Sequence, residues 1–288
     1  QDSMLMSDSI PINLSTEFEQ CADAIINGDF ETLKSLILKH RDLIHARSTR
    51  DHHATLLHYV TANSVEDERQ KTPENILEIT RFLLEHGIDS NATNDAYGGG
   101  TSILDSLISS AHPARAGKKA DLVNLLCEFG ADPSLNDNSA LKTAIAFRYP
   151  PAVEILVNWG ALINHVVYAA IIGDLVHANY FINIGVQPIT TAFGVTYDKP
   201  QDILEFACVS ASMMGHLNIV ADFLEQGIDI NAKRSAEDGT ALHEASIMGH
   251  VDIVQHLLAS GADIASQDKY GFTPLHLAAW HQQYAVMD

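Results

Sequence analysis

The sequence predicts an all-α protein built from stacked helix–turn–helix units, and two self-similarities predict it. The segment Thr240-Ala241-Leu242-His243 recurs 33 positions later as Thr273-Pro274-Leu275-His276. The segment Met214-Gly215-His216 recurs 34 positions later as Met248-Gly249-His250. A fixed period of this length is typical of repeat proteins, in which each unit is one pair of helices that buries its apolar face against the next pair.

The boundaries of the helices within one unit can be predicted from its capping residues. Thr273 is suited to cap the first helix, and Pro274 fits the first helical position, where its missing N–H costs nothing. Gly249 favours the left-handed turn that ends a first helix, and Gly261 does the same for a second helix. These residues predict two short helices per repeat, joined by tight turns.

The segment Asp268–Ala279, with the pattern D-x-x-G-x-T-P-L-H-x-A-A, closely resembles the ankyrin-repeat consensus. The resemblance implies an ankyrin-repeat solenoid of about eight helix–turn–helix units with hairpin-like loops, the last of them incomplete. Residues 17–288 are interpreted as the array, and residues 1–16 as an N-terminal tail, with those before Met4 foreign to the natural chain. The predicted units lie near 17–48, 49–94, 95–137, 138–164, 165–201, 202–235, 236–268 and 269–288.

Residues 45–135 also resemble a subset of bacterial ankyrin-repeat proteins without assigned activity. The residues that carry this second resemblance are Thr55–Asn63, the glycine run Tyr97–Gly100, and Ser109–Pro113. The resemblance favours a bacterial source and names no function.

Charge and cysteine content restrict the class of partner and the compartment. The chain has 37 acidic against 17 basic residues, a formal net charge of −20, which disfavours nucleic acid and anionic membrane surfaces and favours basic partners. Its three cysteines, Cys21, Cys127 and Cys208, are far apart and suit a reducing compartment. With neither a secretory signal nor an apolar stretch of spanning length, we expect a cytoplasmic protein or, as an alternative, one translocated into a host cell.

Three insertions interrupt the period, and such loops in repeat proteins either bind partners or drift neutrally. The first insertion covers Asn63–Pro73, the second surrounds His112–Lys119, and the third covers Val186–Gln201. Partner binding and neutral drift both remain open for each of the three insertions.

A row of large apolar residues ends the predicted first helices of the last five units, where the family commonly carries polar residues. Such a row exceeds the exposed apolar surface that monomers normally tolerate, and methionine and aromatic side chains are common in interfaces. We expect a docking ridge on the concave face, rimmed by acidic residues; the alternative is that these side chains pack between helices. The ridge residues are Phe147, Ile172, Met214, Met248 and Trp280, and the loop-tip residues Lys269, Tyr270 and Phe272 extend the same face, as do Arg234 and Glu237.

Catalytic and metal chemistry is not predicted. His58, like His243 and His276, occupies the family's Thr-Pro-Leu-His position, where the imidazole fixes a turn, so a metal site with His52 and His53 is disfavoured. The Gly98–Thr101 run lacks the Lys-Ser/Thr ending of a phosphate loop. Cys208 is expected to be a buried apolar residue. Because a repeat array offers no obvious deep pocket, no catalytic set, cofactor or metal is assigned.

The sequence therefore predicts a non-catalytic scaffold that binds a protein partner on its concave face, a partner that is basic or has an apolar anchor. Two alternatives stay open: a substrate-recruiting ankyrin domain of a larger enzyme whose catalytic domain follows residue 288, or of a bacterial effector acting on a host protein. Self-association through the open C-terminal repeat is a further possibility.

Overall fold

A computed structural model describes residues 14–287 of the chain. Over this range the protein is mostly helical, with 17 α-helices and four two-residue strands, which confirms the predicted all-α fold class. The described residues form two compact units, residues 14–132 and residues 133–287. Of the predicted tail 1–16, residues 1–13 lie outside the described range, and the first helix begins at Leu14.

The N-terminal unit contains seven α-helices, one two-stranded antiparallel sheet and three short 3₁₀ turns within residues 14–132. Its α-helices are α1 (Leu14–Asn27), α2 (Phe30–Lys39), α3 (Leu56–Thr61), α4 (Ile76–Glu85), α5 (Ile103–Ser109), α6 (His112–Arg115) and α7 (Lys119–Glu128). The strands are β1 (Thr93–Asn94) and β2 (Thr101–Ser102), and the 3₁₀ turns cover Arg41–His45, Asp67–Arg69 and Ala96–Gly98. The glycine run Gly98–Gly100 lies in the connection between the two strands.

The C-terminal unit contains ten α-helices and one two-stranded antiparallel hairpin within residues 133–287. Residues 136–138, inside the first of these helices, have φ between 52° and 57°, so the right-handed helix itself begins at Ser139. The helices are α8 (Leu135–Ala146), α9 (Pro150–Asn158), α10 (Val166–Ile171), α11 (Leu175–Ile184), α12 (Pro200–Met214), α13 (Leu217–Glu225), α14 (Ala241–Met248), α15 (Val251–Ala259), α16 (Pro274–Trp280) and α17 (Tyr284–Met287). The hairpin strands are β3 (Ile189–Thr190) and β4 (Thr196–Tyr197).

The repeated Thr-x-x-His motif caps the first helix of its unit. In α14, the Thr240 amide donates to Nδ1 of His243 at 3.1 Å, and the Thr240 hydroxyl lies 2.9 Å from the same nitrogen. The Thr55–His58 and Thr273–His276 pairs repeat this box at α3 and α16. Each imidazole satisfies an amide that the first turn of a helix leaves without a partner.

The Gly-His motif joins each first helix to its neighbour. Gly215 ends α12 with a φ of 87°, and a Cβ atom there would lie 2.8 Å from the His250 ring. The His250 Nε2 atom in turn lies 3.0 Å from the carbonyl oxygen of Met213. Glycine is therefore required twice at this position, for the left-handed backbone and for the close approach of the next repeat's histidine.

The first helices α10, α12, α14 and α16 pack side by side in chain order, and the second helices α13, α15 and α17 do likewise. Small and branched apolar side chains fill the space between the two layers; Ala245, Ile253 and Leu257, for example, are fully buried. This stacking places the C-terminal ends of the first helices next to one another along one side of the unit.

Candidate functional site in the C-terminal unit

The five residues of the apolar row (Phe147, Ile172, Met214, Met248 and Trp280) end or directly follow the helices α8, α10, α12, α14 and α16. Phe147 and Trp280 are exposed, 45% and 75% of their surface reaching solvent, while the other three are half-buried. None of the five is buried. Their ridge role stays a prediction, since accessibility alone does not identify a binding surface.

The residues just before the three central row positions behave differently. Ile171, Met213 and Ile247 are buried in the helix layer. In each of these three helices, the residue before the row position packs in the helix layer, and the row residue that follows it is only half-buried. For the row residues themselves, a docking ridge and packing between the helices both stay predictions.

The loop-tip residues gather at one end of the row. Tyr270 is 66% exposed, and the Lys269 ammonium lies 5.1 Å from the centre of its ring. The Phe272 and Trp280 ring centres are 6.1 Å apart, close to an edge-on contact. Tyr270, Phe272 and Trp280 together line a small cavity of about 230 Å³, so the structure brings these three predicted residues into one place.

Arg148 forms a polar bridge that the sequence analysis missed. It occupies the place of Gly249 in the repeat, 101 positions earlier, and adopts a left-handed φ of 49°, which costs a non-glycine residue about 1–2 kcal/mol. Its Nε and Nη2 atoms donate to the two carboxylate oxygens of Glu244 at 2.6 and 2.7 Å, and Nη2 also donates to Glu237 at 2.5 Å.

The bridge reaches further along the chain than the links between adjacent repeats. The His250–Met213 hydrogen bond joins residues 37 positions apart, whereas Arg148 pairs with residues 89 and 96 positions away. The Glu244 side chain is almost fully buried. Since a buried carboxylate requires a cation and good geometry, Arg148 fixes the end of α8 against the loop and helix that carry Glu237 and Glu244.

A second buried carboxylate is neutralised in the same way. Glu205 on α12 accepts from Arg234 Nε at 3.0 Å, and Arg234 Nη2 also pairs with Asp202 at 2.5 Å. The loop-tip residues Arg234 and Glu237, which were expected to face a partner, are therefore engaged within the unit.

The third insertion folds into the β3–β4 hairpin. Ile189 pairs with Tyr197 and Thr190 with Thr196. The Tyr197 ring lies 5.0 Å from the ring of Phe206 on α12, and its hydroxyl donates to the carbonyl oxygen of Arg234 at 3.2 Å. These contacts anchor the base of the hairpin on helix α12 and the 233–238 loop.

The hairpin, the end of α8, helix α12 and the 233–238 loop enclose a cavity of about 470 Å³, which we call the hairpin cavity. This volume is in the range of ligand pockets, and the sequence analysis did not foresee it. The third insertion creates the cavity, because its hairpin adds a wall that an uninterrupted repeat lacks. Apolar lining residues include Ile145, Ile189, Phe193, Val195, Phe206, Val209 and Met213, and the charged ones are Lys142, Arg148, Lys233, Arg234, Glu237, Asp238, Glu244 and Lys269.

His243 and His216 have structural roles. Burial lowers the pKa of His243 and of His216, so both rings stay neutral near pH 7. No group of three His, Cys, Asp or Glu side chains within residues 14–287 is arranged to hold a metal ion. Cys208 is buried, as expected, and burial raises the pKa of its thiol to about 12.

These features define a helical repeat protein, with paired helices, capped first turns and Gly-His links recurring along the C-terminal unit. Residues 200–288 match the family model of ankyrin repeats in three copies, so this part of the chain consists of ankyrin repeats. A search of curated proteins gave no match. Ankyrin repeats are typically non-catalytic and generally act as protein–protein interaction modules. Within the described residues, no helix is long and apolar enough to cross a membrane.

Proposed function

We propose that this chain is a non-catalytic scaffold that holds a segment of a partner protein against the apolar row and the loop-tip residues Lys269, Tyr270 and Phe272. The observation that carries the proposal is the accessibility of the row: five consecutive first helices end in large apolar side chains, and none of these is buried.

Covering such a row with a partner removes apolar surface from water, at roughly 25 cal/mol for each Å². The chemical types also fit, since methionine and aromatic side chains are enriched in interface cores. The flexible side chains of Met214 and Met248 can adapt to the partner's shape, while Phe147 and Trp280 supply rigid apolar surface that is exposed to solvent.

The test compares partner capture by the wild-type chain with capture by the Met214→Ser/Met248→Ser double variant. A matched control is Val176→Ser/Ile184→Ser on helix α11, where both side chains are more exposed than either methionine. Proteins retained on each immobilised chain from a cell lysate are quantified by mass spectrometry, and circular dichroism verifies that all three chains are equally helical.

We expect the wild type and the α11 control to retain the same proteins, and the methionine variant to lose them about tenfold or more, because two interface contacts of about 1 kcal/mol each are removed. Equal capture by all three chains would refute the apolar row as the binding surface.

A further inference from the structure

We propose that the small cavity lined by Tyr270, Phe272 and Trp280, which we call the aromatic cavity, holds one arginine side chain of the partner. This inference rests on the proposed scaffold function and deepens it, because it assigns the chemistry of one partner residue and the place where that residue binds.

The aromatic cavity has the size of a single side chain, and its aromatic walls are uncovered. Its volume of about 230 Å³ lies below the range of pockets that take a whole small-molecule ligand. Tyr270, Phe272 and Trp280 are all exposed. The cavity is therefore accessible to one protruding group of a partner.

The aromatic rings can attract a cation. The face of an aromatic ring carries a negative potential that binds cations within about 6 Å of the ring centre, and tryptophan binds them best. The unit already uses this attraction once, since the Lys269 ammonium lies 5.1 Å from the centre of the Tyr270 ring. Among the described residues, no cation lies over the ring of Phe272 or Trp280. These two rings are available to a cation that the partner supplies.

The charged groups that line the aromatic cavity are predominantly acidic. They are three carboxylates and one guanidinium, those of Glu237, Glu244, Asp268 and Arg148. His243 and His281 also line the cavity. Burial lowers the pKa of both imidazoles, so neither adds positive charge near pH 7.

The charges just outside the cavity do not reverse this balance. Lys233 and Lys269 line the neighbouring hairpin cavity and donate to the main-chain carbonyls of Gln267 and Ala236. Counting both lysines together with Asp238 still leaves four carboxylates against three cations. The surroundings favour a cationic occupant, and the net charge of −20 on the whole chain also attracts a basic partner.

One carboxylate of the lining has no cation. Arg148 pairs with Glu237 and with Glu244, whereas Asp268 forms no ion pair with a described residue. The Oδ1 atom of Asp268 accepts from the amides of Tyr270 and Phe272, each at 2.9 Å. An apolar occupant would remove this carboxylate from water without a counter-charge, which is costly, and a cationic occupant would neutralise it.

Arginine fits this combination better than lysine does. Its hydrocarbon stem can pack on Ile247 and Leu277, which also line the cavity. Its planar guanidinium stacks on aromatic rings, pairs with a carboxylate through two hydrogen bonds and is less strongly hydrated than the lysine ammonium. One arginine side chain therefore matches the apolar lining, the exposed ring faces and the carboxylate of Asp268.

The test selects peptides from a random dodecapeptide library displayed on phage, with the wild-type chain as bait. The affinity of each selected peptide is measured by fluorescence polarisation, and the measurement is repeated with citrulline or lysine in place of its arginine. Citrulline keeps the shape of arginine and removes its charge, so it separates the contribution of charge from that of packing.

The first cavity variant, Asp268→Asn, removes the charge and keeps an acceptor for the two loop amides. Its matched control is Asp263→Asn, because Asp263 is exposed and accepts from the Ala265 amide in the same way.

The second cavity variant, Tyr270→Leu/Trp280→Leu, keeps apolar surface and removes two ring faces. Its matched control, Trp159→Leu/Tyr180→Leu, makes the same exchanges at two exposed positions outside the cavity. Circular dichroism verifies that all five chains are equally helical.

We expect the selected peptides to share an arginine. Their affinity should fall about tenfold or more with citrulline and in each cavity variant, because a charge-assisted contact or a cation–π contact is lost. Lysine should weaken binding about threefold or more. In Asp268→Asn the citrulline peptide should lose less than in the wild type, because the charge that the arginine meets is already absent. Both controls should bind within about twofold of the wild type.

Selected peptides that lack arginine, that bind equally well with citrulline or lysine, or that bind both cavity variants as tightly as the wild type would overturn the inference. The absence of any peptide above background would do the same. If lysate capture is still lost in Met214→Ser/Met248→Ser, such a result refutes the aromatic cavity alone. Capture that does not respond to those methionines, together with arginine peptides that depend on Asp268, would refute the apolar row and keep the cavity.

Discussion

The two longest insertions differ in how closely they pack against the rest of their unit. They are Asn63–Pro73 in the N-terminal unit and Val186–Gln201 in the C-terminal unit. The first is drawn into its unit: Arg69 pairs with Glu19 at 2.5 Å and with Asp23 at 2.9 Å, and only 11% of the Arg69 side chain is exposed. The second is anchored at its base by Tyr197, while Phe193 at its tip keeps more than half of its surface exposed.

The comparison shows which contacts make an inserted segment part of the folded core. The first places a cation among carboxylates of helix α1, so the loop and the helix satisfy each other's charges. The second carries apolar side chains to the edge of a cavity that they leave unfilled. An inserted segment whose side chains find complete partners supports the fold, and one whose apolar side chains stay uncovered is available to a ligand.

The largest expected effect follows from removing the charge that anchors the first insertion. Arg69→Ala should lower the free energy of unfolding by about 3 kcal/mol, because it leaves the partly buried carboxylates of Glu19 and Glu66 short of one cation. The matched control is Arg81→Ala, whose pair with Glu128 is about half exposed on both sides and is expected to contribute less than about 1 kcal/mol.

Urea unfolding can be followed by two signals in this chain. Both tryptophans, Trp159 and Trp280, lie in the C-terminal unit, whereas far-ultraviolet circular dichroism reports the helices of both units. Arg69→Ala should shift the dichroism transition more than the fluorescence transition. An Arg69→Ala chain as stable as the Arg81→Ala chain would show that the first insertion is as peripheral as the hairpin.

The sequence alone could not predict which insertion packs into its unit and which stays exposed. The repeat period and the capping motifs predicted the fold class, because Thr240, His243 and Gly249 act through local backbone geometry that recurs in every unit. The positions and lengths of the insertions were visible for the same reason, as departures from a regular period. Whether an insertion binds a partner or drifts neutrally was left open, since its contacts are made with residues far away in the sequence.

The candidate site was predictable only in part. The accessible position of Met248 follows from its place before the Gly-His motif. The Arg148 bridge does not, since its partners are two to three repeats away, yet one signal was present: an arginine stands where the period places a glycine. The hairpin cavity had no such signal, because it exists only once Tyr197 and Phe206 meet.

A second prediction compares the capping histidines of the two units through their pH dependence. Burial lowers the pKa of His58 to about 3, against an ordinary value of 6.5. Below pH 6.5 the unfolded chain therefore binds a proton that the folded chain does not, so stability falls as pH falls from about 6.5 towards 3. Between pH 7 and pH 5 the loss from this residue is expected to be about 2 kcal/mol.

The measurement is urea unfolding at pH 7, 6 and 5 for the wild type, His58→Gln and His243→Gln. Glutamine keeps an acceptor for the Thr55 amide and does not titrate, so His58→Gln should flatten the pH dependence. His243→Gln should act in the same direction, since burial also lowers the pKa of His243. An unchanged slope in His58→Gln would mean that its ring is protonated in the fold, which would contradict its burial.

The smallest expected change in stability is that of a valine-to-serine substitution in the hairpin, and the same substitution in the first insertion serves as its comparison. Val195 in the hairpin is 48% exposed, and Val65 in the first insertion is 7% exposed. Val195→Ser should change the free energy of unfolding by less than about 0.5 kcal/mol, as is usual at accessible positions. Val65→Ser should cost about 2 kcal/mol, since it removes buried hydrocarbon and places a hydroxyl in an apolar setting. Equal costs at the two positions would mean that the hairpin tip is as firmly integrated as the first insertion, and the cavity beside it would then have no uncovered apolar wall to offer a ligand.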